Sequence, residues 1–131
     1  MTRLSRTMFA LVLIAAVTAG VSPAAQAKPV SITATLKGGT AFPAATGQAK
    51  FSHEAGKREL EVEIEHARPL AGRRLTVFVG GTKVGTMVVG RLGRAQLNRS
   101  TQLGQAVPRV SAGTGVGVHT AAGVVVAKGR F

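Results

Sequence analysis

The sequence predicts an all-β domain: an antiparallel β-sandwich of about eight short strands, with a small closed β-barrel as the alternative. Two observations carry this. From Val30 to the end, apolar residues recur at every second position in runs of five to eight, the period of a strand with one buried and one wet face. Gly, Pro or Ala-Gly turns separate the runs, and connections this short suit antiparallel neighbours.

Each element follows from its own pattern. Val30, Ile32, Ala34 and Leu36 alternate with Ser31, Thr33, Thr35 and Lys37 in a first strand that Gly38-Gly39 ends. A loop runs through Ala41-Phe42-Pro43-Ala44-Ala45, and the alternation resumes from Gln48 to His53 with Ala49 and Phe51 inward. Glu54-Ala55-Gly56-Lys57 makes a turn into Arg58 to His66, where Leu60, Val62 and Ile64 face one way and Glu59, Glu61, Glu63 and Glu65 the other. A helix would scatter those glutamates around its circumference, so the strand reading wins over glutamate's helix preference. After Pro69 and Gly72 comes a strand through Leu75, Val77 and Val79, then Gly80-Gly81 as a tight hairpin into Lys83 to Val89. Ala95, Leu97 and Arg99 define a sixth strand, and a looser stretch from Thr101 to Gly113, containing Pro108, is expected to cover one end of the domain. Val116 and Val118 mark a seventh strand, Ala121-Ala122-Gly123 turns, and Val124 to Phe131 is the last.

The first 27 residues read differently. Arg3 and Arg6, an apolar run from Met8 to Val21, a break at Pro23 and the small-x-small site Ala25-Gln26-Ala27 have the pattern of a cleaved secretory signal peptide. About 14 apolar residues fall short of the roughly 20 that a membrane-crossing helix needs. The expectation is therefore export, periplasmic or extracellular, of a single domain spanning residues 28–131, with no transmembrane segment in the mature chain. The chain has no cysteine, so a lipid-modified N-terminus is excluded and stability rests on aliphatic packing without disulfides.

Fifteen Lys and Arg against five Glu give residues 28–131 a net charge of about +10, which favours adhesion to anionic polymers or membranes. Beyond a cell membrane these are phospholipid head groups, lipopolysaccharide or anionic wall polymers. That part of the chain has no Trp or Tyr and only Phe42, Phe51, Phe78 and Phe131 as aromatics. Base-stacking and sugar-stacking surfaces both lose weight as a result, and no nucleic-acid partner is expected.

The segment Ala34-Thr35-Leu36-Lys37-Gly38, followed by Pro43-Ala44-Ala45-Thr46-Gly47-Gln48-Ala49-Lys50-Phe51 and the alternating strand through Leu60, resembles the opening of chordin-type (CHRD) domains. The second half, with Leu75-Thr76-Val77-Phe78-Val79-Gly80-Gly81, then Val84-Gly85-Thr86 and Val107-Pro108, looks like small secreted bacterial β domains of unassigned activity. These resemblances imply an exported β-sandwich module and carry over no functional residue.

Candidate chemistry is sparse. Successive outward residues on a strand stand about 7 Å apart, so Glu59, Glu61, Glu63 and Glu65 form an acidic stripe that needs cations nearby, with Lys50, Arg73, Lys83 and Arg94 available. The stripe is a possible docking face for a basic partner. Calcium sites gather six to eight oxygens, often from loop Asp and Asn, and this chain has no aspartate. His53, His66 and His119 are not at ligand spacing. Ser31, Ser52, Ser100 and Ser111 lack a nucleophile-elbow setting. Gly113-Thr114-Gly115-Val116-Gly117 precedes a strand where a phosphate loop requires a helix, so it reads as turn and strand glycine.

The basic residues Arg68, Arg73 and Arg74 flank one connection, and Arg91, Arg94 and Arg99 flank another. Gathered at one rim opposite the stripe, they would contact anionic surfaces. The expectation is a non-catalytic binding or structural module that adheres through Arg73, Arg74, Arg91, Arg94 and Arg99 to anionic envelope polymers, lipid head groups or a partner protein. Its alternative is a small metal-binding protein using the histidines or the glutamate stripe. No catalytic residue, cofactor or metal site is assigned.

Overall fold

The computed structural model describes residues 29–131, so the expected leader and its cleavage site lie outside the described residues. Eight strands form: β1 (Val30–Gly38), β2 (Thr46–Glu54), β3 (Lys57–Glu65), β4 (Arg74–Val79), β5 (Thr82–Val88), β6 (Ala95–Ser100), β7 (Gly115–Thr120) and β8 (Val125–Arg130). Every strand expected from the alternation is present, with ends shifted by at most two residues. The only helical elements among the described residues are short 3₁₀ turns at Arg68–Leu70 and Thr101–Leu103.

The architecture is the barrel alternative and not the two-sheet sandwich. All eight strands belong to one antiparallel sheet in the order β5-β4-β7-β8-β1-β2-β3-β6, joined across its middle by the β1–β8 pairs Lys37↔Lys128 and Gly38↔Ala127. The physical reason lies at the edges. β5 and β6 stand at opposite ends of this order, yet they are consecutive in sequence. Laid flat, seven inter-strand gaps of about 4.8 Å would separate them by about 34 Å. The chain from Val88 to Ala95 reaches at most about 25 Å when fully extended. The sheet must therefore curl until its edges meet, and it is nearly closed.

Curling turns one apolar face inward. Leu36, Leu60, Val62, Ile64, Leu75, Val77, Val118 and Val126 are among the side chains with almost no exposure, and no buried residue is polar or charged among the described residues. Apart from Phe51 and Met87, the buried apolar set is Ala, Val, Leu and Ile, small enough to fill the interior of an eight-stranded barrel.

The connections sort to two ends. Residues 39–45, 66–73, 89–94 and 121–124 lie at one end, and the turns at 55–56 and 80–81 lie at the other with the long connection 101–114. That long connection packs Val107 into the core, as expected of a segment covering one end.

The seam between β5 and β6 is closed by a side chain. Along β6 the inward positions are Ala95, Leu97 and Arg99, opposite Ile64, Val62 and Leu60 of β3. Arg99 Nε donates to the Val84 carbonyl of β5 at 2.9 Å. Its guanidinium fills the space over Gly85, where a Cβ would lie 2.9 Å from Nη2. Arg58, also at an inward position, donates from Nε to the Val107 carbonyl at 3.0 Å and holds the long connection in place.

The seam predicts a contrast between two arginines. Arg99→Ala leaves the Val84 carbonyl unpaired and opens the seam, and is expected to cost about 1–2 kcal/mol in urea unfolding. The exposed Arg74→Ala is expected to stay within about 0.5 kcal/mol. At the β2–β3 turn, Ala55 adopts φ 51 beside Gly56 at φ 81, a left-handed pair that favours Asn-Gly. Ala55→Asn is expected to stabilise by about 1 kcal/mol, read as a rise of about 4–8 °C in melting temperature.

Candidate anion-binding surfaces

Five of the six arginines expected at a rim lie at the end of the barrel where β3 stops and β4 starts. Gly72 N–H donates to the Val89 carbonyl at 2.7 Å and Val89 N–H to the Arg73 carbonyl at 3.0 Å, while Ala67 N–H donates to the Gly93 carbonyl at 3.0 Å. These bonds clamp connection 66–73 against connection 89–94. Gly93 packs so closely on Arg68 that a Cβ there would lie 2.6 Å from the Arg68 nitrogen. Arg68, Arg73, Arg74, Arg91 and Arg94 are consequently neighbours, and all five are exposed. Leu92, at the tip of the second connection, is 69% exposed among them.

Arg99 is not part of this rim. It lies at the far end of β6, half-buried, with its guanidinium committed to the seam. Its inward position follows from the strict alternation after Ala95 and Leu97, which a surface-cation reading of arginine overrides.

The acidic stripe runs along the outer face of β3 and meets the rim at one point. Arg94 Nη2 stands 3.9 Å from Glu65 Oε1, and Lys57 Nζ stands 3.3 Å from Glu59 Oε1 at the other end. Both pairs are solvent-exposed, so each is worth no more than about 1 kcal/mol. Lys50 is the register partner of Glu61 across β2. The remaining neighbours are neutral: Thr46, Gln48 and Ser52 on β2, and Gln96, Asn98 and Ser100 on β6. The stripe therefore sits in a polar, hydrogen-bonding wall beside the rim and not opposite it.

The three histidines fall on separate elements. His53 is on β2, and His66 follows β3 with φ 60 and places Nδ1 3.1 Å from Thr46 Oγ1. His119 is on β7 and packs its ring on Phe78 of β4, centroids 4.9 Å apart. Among the described residues, no three His, Asp or Glu side chains come together as a metal shell. Ser31 of β1, Ser52 of β2 and Ser100 of β6 stand in one cross-strand row with Glu59 of β3, and Ser111 lies in the long connection. Ser100 Oγ accepts from Gln102 N–H and so caps the 3₁₀ turn.

Gly115 and Gly117 lie in β7 and not in a phosphate loop, in agreement with the reading of this segment as turn and strand glycine. No protein-family model matches this chain, and no curated protein matches it.

Proposed function

We propose that this protein is a non-catalytic exported module that adheres to anionic envelope surfaces through its arginine rim. The observation that carries the reading is the set of five exposed arginines that two clamped connections bring to one end of the barrel, with Leu92 exposed among them. Among the described residues, Glu65, paired with Arg94, is the one carboxylate in contact with the rim cations.

The magnitudes favour a lipid surface over a dissolved polymer. Each arginine near an anionic bilayer contributes about 1 kcal/mol, so five give about 5 kcal/mol, a dissociation constant of a few tenths of a millimolar. Inserting the Leu92 side chain adds about 1–2 kcal/mol and brings binding to tens of micromolar. A dissolved polyanion offers the first contribution without the second. The electrostatic part is exposed and shrinks as salt shortens the screening length.

Co-sedimentation with vesicles tests this directly. Retention is expected on vesicles containing phosphatidylglycerol and not on pure phosphatidylcholine, with loss at high salt. Leu92→Ser is expected to weaken vesicle binding about tenfold while leaving retention on soluble polyphosphate unchanged. Equal retention on neutral and anionic vesicles, or none on either, would refute the reading.

A further inference from the structure

One glycine in β7, Gly115, has no structural reason to be glycine. Gly115 and Gly117 both lie in the strand with outward-facing positions, since Val116 and Val118 between and beyond them are buried. Neither has a positive φ. A Cβ on Gly115 would meet nothing within 4 Å, and one on Gly117 would meet only the His119 ring, at 3.1 Å from Nε2. By contrast, Gly129 is required, because a Cβ there would strike the Thr35 carbonyl oxygen, and Gly38 is crowded by the carbonyls of Phe42, Pro43 and Ala45. Glycine inside a strand weakens it and often marks a site where a ligand approaches the backbone. The cost at Gly115 is offset by no packing, whereas Gly117 leaves room for the His119 ring.

What these glycines do create is space. They floor an outer-wall groove of about 520 Å³ lined also by Phe78, His119, Lys37, Lys128 and Arg130. The register explains its layout. Phe78 of β4 pairs with Gly117, Gly117 with Lys128 of β8, and Lys128 with Lys37 of β1. One row across four strands thus reads aromatic, glycine, cation, cation, with the His119 ring leaning over the glycine. With strands about 4.8 Å apart, Phe78 and Lys128 stand about 10 Å apart, and the open floor of the groove is the backbone at Gly115 in the next row. Gly115 pairs with Arg130 in the next row, and Arg130 Nη1 is held by the Gly113 carbonyl at 3.0 Å. The opposite wall is the Phe78–His119 pair, ring planes tilted by 40°. Among the described residues, no carboxylate lines the groove.

We infer that this groove is a binding site for a small ring-bearing anion. Its ring lies over Gly115 against the His119 ring, which Phe78 backs, and its carboxylate faces Lys128, Lys37 and Arg130. The site is separate from the arginine rim and does not depend on the rim's role. Acidic sugars of the uronate type and aromatic carboxylates both present this chemistry, and the test separates them.

The experiment is a titration of the protein followed by the backbone amide signals of Gly115, Gly117 and Gly129. The probes are tri-galacturonate, 2-naphthoate, neutral maltotriose and inorganic phosphate. Saturable shifts at these amides with one or both ring-bearing anions, and not with maltotriose or phosphate, are expected, and which anion binds identifies the source. Gly115→Val places a β-branched side chain in the open groove. It is expected to keep or raise the melting temperature while weakening binding at least tenfold. Lys128→Ala is expected to weaken it comparably, and neutralising Arg73, Arg74, Arg91 and Arg94 is expected to leave it unchanged. No shift with either ring-bearing anion would overturn the assignment, as would shifts that phosphate reproduces or that survive Gly115→Val.

Discussion

The tie between β5 and β6 governs the rest of the molecule. These strands are the two edges of an eight-stranded sheet, and the few residues joining them are too short to span a flat sheet of that width. Closure follows, and with it a single interior that takes one apolar face and no second layer. Near the tie the edges are drawn together, with the Gly90 N–H donating to the Arg94 carbonyl. Towards the other end the edges are bridged by a side chain, Arg99 to Val84. The same short tie positions Arg91 and Arg94 beside Arg68, Arg73 and Arg74, so the closure of the fold and the rim have one cause.

Closure also fixes where charge goes. All five acidic residues lie between Glu54 and Glu65, and residues 66–131 contain ten Lys and Arg and no acid. Rolled into a barrel, this linear segregation becomes a spatial one: an acidic wall centred on β3, an arginine rim at one end, and a cationic groove across β4, β7, β8 and β1. Half-buried arginines play a different part. Arg58 and Arg99 reach backbone carbonyls from inward positions, where their long apolar stems extend the core and their heads pair with oxygen.

Much of the fold was legible because a strand writes its buried face at period two. The stripe from Glu59 to Glu65 and the inward set Leu60, Val62 and Ile64 needed nothing beyond that period. The choice between sandwich and barrel was not legible, because it depends on strand order, and the pairing of β8 with β1 joins residues about ninety positions apart. The grouping of Arg68, Arg73 and Arg74 with Arg91 and Arg94 was readable as a common feature of two connections. Arg99 was misleading for a physical reason: its charge argues for the surface while its parity places it inside. The groove was invisible, since Phe78, Gly117, Lys128 and Lys37 come from four separate strands and meet only through register. The empty space over Gly115 distinguishes that glycine from the sterically required Gly129, and sequence shows both merely as glycine.

The central claim is that the position of the positive charge, more than its total, determines what this protein holds. Two variants with equal net charge test it most directly. One replaces Arg73, Arg74, Arg91 and Arg94 by Gln; the other replaces Lys50, Lys57, Lys83 and Arg109 by Gln. Affinity for anionic vesicles at low salt is then compared. The rim variant is predicted to lose more than about a hundredfold, as four contacts of about 1 kcal/mol imply, and the control no more than about threefold. Equal losses in the two variants would contradict the account and reduce the arginines to a diffuse basic surface.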